Sequence, residues 1–135
     1  MSGEDAPDLD LSGQWAGLYN YPIDWPPTSF EVTLRDIGGL ITGITTEEGD
    51  TPDCYGMILQ AVIEGSHDGT AIRFTKMYDY LERAAVVYDG VIQPGGDEIE
   101  GMWTVPGAWS GTFLMVRASK TGATVAERVD EKVPL

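Results

Sequence analysis

Three residues far apart in the chain have the types to manage a proton between them: Glu47, Lys76 and Tyr88. A carboxylate and an ammonium facing each other beside a phenol could polarise a carbonyl and shuttle a proton. The same groups at one end of an apolar cavity would instead fix the polar part of a bound molecule. The other reactive side chains point away from chemistry. His67 is the only histidine, and Ser66-His67-Asp68-Gly69 reads as a hairpin turn, so a turn role outweighs one as base, haem ligand or metal ligand. A Ser-His-Asp triad would have to be built at that hairpin tip. Cys54 is the only cysteine, which excludes a disulfide within the chain, and its acidic neighbourhood disfavours a thiolate. Metal sites gather several His, Cys and carboxylate groups, so neither a metal nor a cofactor is expected. Gly38-Gly39 and Gly95-Gly96 fall between strands and not at a helix start, so they make no phosphate cradle.

The elements that must carry these groups are strands. Phe30-Glu31-Val32-Thr33-Leu34-Arg35 alternates apolar and polar residues, the mark of a half-buried strand. Similar segments are read at 14–21, 40–46, 57–65, 71–78 and 85–92, with two more within 98–117 joined by the Pro106-Gly107 turn, and the connections are rich in Gly, Pro and Asp. Residues 79–83 make a connection or a single helical turn. About eight strands in sequence order predict an all-β, up-and-down antiparallel barrel. Glycine recurs within them, in Ile41-Thr42-Gly43, Ile63-Glu64-Gly65, Tyr88-Asp89-Gly90, Ile99-Glu100-Gly101 and Trp109-Ser110-Gly111, as the coiling of a small barrel requires.

One domain accommodates the 135 residues. Residues 1–10 read as a flexible acidic leader, 11–117 as the barrel and 118–135 as a polar tail, with a short amphipathic helix as an alternative around Val125 and Val129. The formal charge is −14, and 15 acidic against 5 basic side chains lie within 11–117. Such a surface repels phosphates and anionic lipid, so neither nucleic acid nor membrane is an expected partner. The N-terminus lacks the basic-then-apolar run of a signal peptide, which makes cytoplasmic residence the expectation. Residues 57–63 are apolar on both faces, so a homo-oligomer using that strand is a further expectation.

Gly13-Gln14-Trp15 near the start, with Arg117 at the end of the last strand, resembles the calycin pattern of lipocalins, fatty-acid-binding proteins and avidins. The resemblance implies barrel closure by Trp15 with Arg117 packed across its indole, a cation–π contact. Within that superfamily the chain looks most like the avidin group. Leu11-Ser12-Gly13-Gln14-Trp15 is similar to an avidin opening, Leu40-Ile41-Thr42-Gly43 to the third strand, Gly69-Thr70-Ala71-Ile72-Arg73-Phe74-Thr75 to the fifth, and Ile99-Glu100-Gly101-Met102-Trp103 to the seventh. Gly17 and Thr45 stand where that pattern has Asn and Tyr, so the resemblance extends to architecture and not to a biotin site. Calycin-like barrels also include cyclases and isomerases, which keeps the enzyme reading open.

Alternation assigns the inner face. If Trp15 points inward, so do Gly17, Tyr19 and Tyr21; Phe30, Val32 and Leu34 follow, then Ile41, Gly43, Thr45 and Glu47. Ile72, Phe74, Lys76 and Tyr78 lie on the chosen face of the fifth strand, with Val86, Tyr88, Ile99 and Trp103 completing the lining. The candidate ligand contacts are therefore Tyr19, Tyr21, Trp25, Thr45, Glu47, Phe74, Lys76, Tyr78, Tyr88 and Trp103. Trp25 sits in the stiff Pro22-Ile23-Asp24-Trp25-Pro26-Pro27 loop and reads either as a flap over the barrel mouth or as ordinary packing. Inward glycines are expected to leave space in the interior. Three functions remain open: a binder of a small, apolar and partly aromatic molecule, a barrel enzyme using the same pocket, or an oligomeric interaction module with a filled barrel.

Overall fold

The computed structural model describes residues 9–49, 55–78 and 85–118. They form eight antiparallel strands: β1 (Gly13–Tyr19), β2 (Thr28–Ile37), β3 (Leu40–Glu48), β4 (Ile58–Asp68), β5 (Ala71–Tyr78), β6 (Val86–Ile92), β7 (Glu98–Val105) and β8 (Trp109–Arg117). Each pairs with its neighbour in sequence, and β1 pairs with β8 to close the barrel. The fold is the all-β up-and-down barrel that the alternation predicts, with no helix among the described residues. Closure leaves the sheet without an edge strand.

Two boundaries differ from the sequence reading. The first strand stops at Tyr19, just before Pro22, which has no N–H to give a ladder. β4 continues through Ser66, His67 and Asp68, which the sequence suggested were turn residues. Ser66 pairs with Leu40, and the His67 N–H reaches the carbonyl of Gly39 at 2.9 Å. The turn itself is only Gly69-Thr70, where Gly69 supplies a φ of 61°. The suggested connection at 79–83, Cys54, most of the leader and all but the first residue of the tail lie outside the described residues.

The inner face carries one contiguous core, from Leu11 and Trp15 at one end to Tyr19, Phe30 and Trp103 at the other. The space opposite the inward glycines is filled, not vacant. A Cβ on Gly17 would collide with the Phe30 ring paired across from it, and one on Gly90 would lie 2.9 Å from Phe113. Rings laid over strand glycines let a small barrel coil tightly while keeping its interior packed.

The barrel's two ends differ. Tight connections at 38–39, 69–70 and 93–97 join strands at the floor. At the other end, the mouth, 20–27 join β1 to β2 and 106–108 join β7 to β8. Short turns set strand register, whereas longer loops are where binding groups are usually carried.

Candidate functional site

Strand alternation brings Glu47 of β3 and Lys76 of β5 to the inner face near the mouth. β4 runs between them, and its inward residue at that level is the small Ala61, in register with both Thr45 and Tyr78. The lysine stem crosses this gap, and Nζ donates to Glu47 Oε1 at 2.5 Å. The same oxygen accepts from the Tyr78 hydroxyl at 3.0 Å, and Oε2 accepts from the Tyr19 hydroxyl at 2.6 Å. Both charged side chains are buried, 1% exposed for Lys76 and 3% for Glu47.

Aromatic rings enclose the ammonium. Nζ lies 4.9 Å from the ring centres of Phe30 and Tyr78, 5.1 Å from Tyr19 and 5.9 Å from Tyr88. These are cation–π distances in a water-poor setting, where the attraction is largest. Burial pushes the Tyr19 hydroxyl far above its ordinary range, with the Tyr78 phenol and the Glu47 charge acting in the same direction. Burial raises Tyr88 too, with Tyr78 and Glu47 adding to it. Both phenols therefore stay protonated and neutral at physiological pH. Tyr88 enters the cluster by its ring, stacked on Phe74 at 4.8 Å and edge-on to Phe113 at 4.9 Å.

Thr45 lies two residues before Glu47 on the same face, fully buried. Its hydroxyl has no hydrogen-bond partner among the described residues. Thr28, also buried, shares a 3.3 Å hydrogen bond with the Tyr21 hydroxyl.

A second aromatic tier lies nearer the solvent. Tyr21 meets Trp25 at 5.2 Å, Trp109 at 5.4 Å and Trp103 at 6.0 Å. Trp25 meets Trp109 edge-to-face at 5.7 Å and remains 46% exposed, so the proline-flanked loop lays its indole on the mouth without burying it. Trp103 is anchored by a 2.9 Å hydrogen bond from Nε1 to the Asn20 carbonyl. Tyr19 links the tiers, 5.5 Å from Tyr21 and 6.1 Å from Trp103. Of the candidate contacts named from the sequence, Phe74 and Tyr88 sit deeper in the barrel, and the others gather at the mouth end. Trp109 and Phe30 belong to this constellation and were not singled out as contacts. Counting the Pro106-Gly107 hairpin outward, Val105 opposite Trp109 and Trp103 opposite Gly111, would have found Trp109.

The floor is built differently. The Arg117 guanidinium lies 4.6 Å from the centre of the Trp15 ring and donates to the carbonyls of Ser12, Asp10 and Gly96 and to the Asp97 carboxylate. Trp15 Nε1 donates to the Leu11 carbonyl at 2.8 Å. His67 Nε2 meets Asp36 Oδ2 at 2.7 Å, and that oxygen also accepts the Leu11 N–H. Ser12 Oγ bonds the Asp36 backbone and not His67, so Ser12, Asp36 and His67 form a latch joining the chain before β1 to β2 and β4 and not a catalytic relay. Among the described residues no group of three or more His, Cys, Asp or Glu side chains converges as a metal site would require.

No family model, curated protein or solved structure matches this chain. The closed eight-stranded antiparallel barrel is compatible with a calycin-like fold, and the functional argument rests on the mouth.

Proposed function

We propose that the chain is a small-molecule-binding barrel whose mouth takes an apolar, partly aromatic ligand. The buried Glu47–Lys76 pair in its cage of tyrosines carries this reading. Stability does not explain such a pair: desolvating two charges offsets most of their attraction, and apolar residues of similar volume commonly do as well. A binding site gains what a core does not, namely fixed polar groups in an aromatic setting. The pair also lies at the end with the longer connections, below a partly exposed tier of Tyr21, Trp25 and Trp109. Native mass spectrometry before and after organic extraction tests the proposal. A retained adduct of small-molecule mass is the expected result, and a bare chain that no aromatic compound stabilises against heat would overturn it.

One surface feature favours self-association alongside binding. Ile44, Val62 and Met77 are aligned in register on the outer face, with Ile58 four residues before Val62 on the same face of β4, and Ile44, Ile58 and Met77 are 58%, 62% and 43% exposed. An apolar row of this kind fits a second copy of the barrel. Ile58→Lys should shift the sedimentation coefficient to that of a monomer. An already monomeric wild type would remove this part of the proposal.

A further inference from the structure

On β8 the inward side chains are Phe113 and Met115, which belong to the interior core. Leu114 and Val116 therefore point outward, yet they are only 7% and 2% exposed. Outward apolar residues elsewhere on the barrel stay about half exposed, as Ile44, Met77 and Met102 do. Among the described residues, the partly buried apolar side chain packed with them is Leu18, in register with Leu114 on the adjoining strand. A neighbour in the same sheet shields a flank and not the top. We propose that residues 119–135 dock on this outer face of β1 and β8, over Leu18, Leu114 and Val116.

Three observations select that segment. The first is tethering. The chain leaves β8 at Ala118, whose N–H still bonds the Gln14 carbonyl at 2.9 Å, two residues past Val116. Stretches 50–54 and 79–84 are instead tied at both ends to β3–β4 and β5–β6. The second is pattern. Val125, Val129 and Val133 recur at every fourth position with Ala126 beside them, an apolar stripe at helical spacing. Thr124-Val125-Ala126-Glu127 has the form of a capping box, and Pro134 supplies a stop. The third is charge. Glu98 and Glu100 of β7 lie in register with Val116 and Leu114. On a helical wheel Arg128 and Lys132 border the valine stripe on one side, with Glu127 and Glu131 behind it. Residues 1–8 offer Glu4, Asp5 and Asp8 and no Val, Leu or Ile, so they fit this acidic-flanked apolar face poorly. Docking there is independent of what the mouth binds, and it leaves the Ile44, Val62 and Met77 row across the barrel for a second copy.

Thiol labelling tests this on the full chain in a Cys54→Ser background, comparing Leu114→Cys with Met102→Cys. Leu114→Cys should react at least tenfold more slowly. Deleting 119–135 should bring it to the Met102→Cys rate while the β-sheet circular dichroism stays unchanged. Val129→Asp in the otherwise complete chain should also raise the rate, which keeps the test open should the shortened chain not fold. Labelling that stays slow in both variants would overturn docking by this segment. Labelling of Leu114→Cys in the full chain as fast as Met102→Cys would overturn the cover itself. Protection that falls on dilution would place a second copy on this face and overturn docking within one chain.

Discussion

The floor and the mouth of this barrel use the same physical contact, a cation against an aromatic ring, for different ends. At the floor, Arg117 lies over Trp15 at the rim and spends its donors on backbone carbonyls and Asp97. It ties the last strand to the segment before the first. At the mouth, Lys76 is withdrawn into the interior, its charge met by Glu47 and its flanks by rings. A rim cation facing carbonyls is a fastener. A buried cation neutralised by a carboxylate inside an aromatic cage is a prepared polar environment, far more expensive to build and correspondingly more informative about function.

The contrast breaks most sharply at Lys76. Lys76→Met leaves the buried Glu47 carboxylate without its countercharge, held only by the Tyr19 and Tyr78 hydroxyls, and should destabilise the barrel by about 3–5 kcal/mol in urea titration. Adding Glu47→Leu to it should restore most of that loss. A double variant as unstable as the single one would mean the pair is held for stability after all. Arg117→Ala should cost less, about 2 kcal/mol, through the lost ring contact and hydrogen bonds, and should leave ligand affinity unchanged. Alkaline pH separates the two ends further. Tyr19 and Tyr88 are held protonated in the folded barrel, whereas the unfolded chain releases those protons near pH ~10. Stability should be intact below that pH and fall above it, by roughly 1.4 kcal/mol per pH unit for each such tyrosine. Tyr19→Phe should make that slope shallower, and Arg117→Ala should not. The smallest effect on stability belongs to Trp25→Ala, within about 1 kcal/mol because the indole is half exposed, with ligand affinity falling roughly tenfold.

Much of this was legible in the sequence because a strand has a period of two. Once Trp15 is inward, Tyr19 follows; once Ile41 is inward, so is Glu47; and Phe74 carries Lys76 with it. The Glu47–Lys76 contact needed only the further step of placing β3 and β5 on either side of one strand. What the sequence did not yield depends on pairing between strands. His67 looked like a turn residue because Asp68-Gly69 is a turn signal, yet its N–H bonds Gly39 in the neighbouring hairpin. Inward glycines suggested empty space because the rings that cover them, Phe30 over Gly17 and Phe113 over Gly90, come from other strands or from far along the chain. Thr45's lack of a partner cannot be read from any local pattern.

Closure by β1 against β8 also governs how the chain must fold. Trp15 pairs with Arg117 across almost the whole length of the domain, while every other strand pairing is a local hairpin. The hairpins can form as their residues become available, but the seam cannot be made until position 117 is present. Loop-closure entropy makes such a distant contact slow relative to its neighbours. During synthesis β1 would wait with one open edge until the final strand arrives, the interval in which it is most exposed to pairing with another chain. The same latch that makes the finished barrel edgeless makes its assembly all-or-none at the last step.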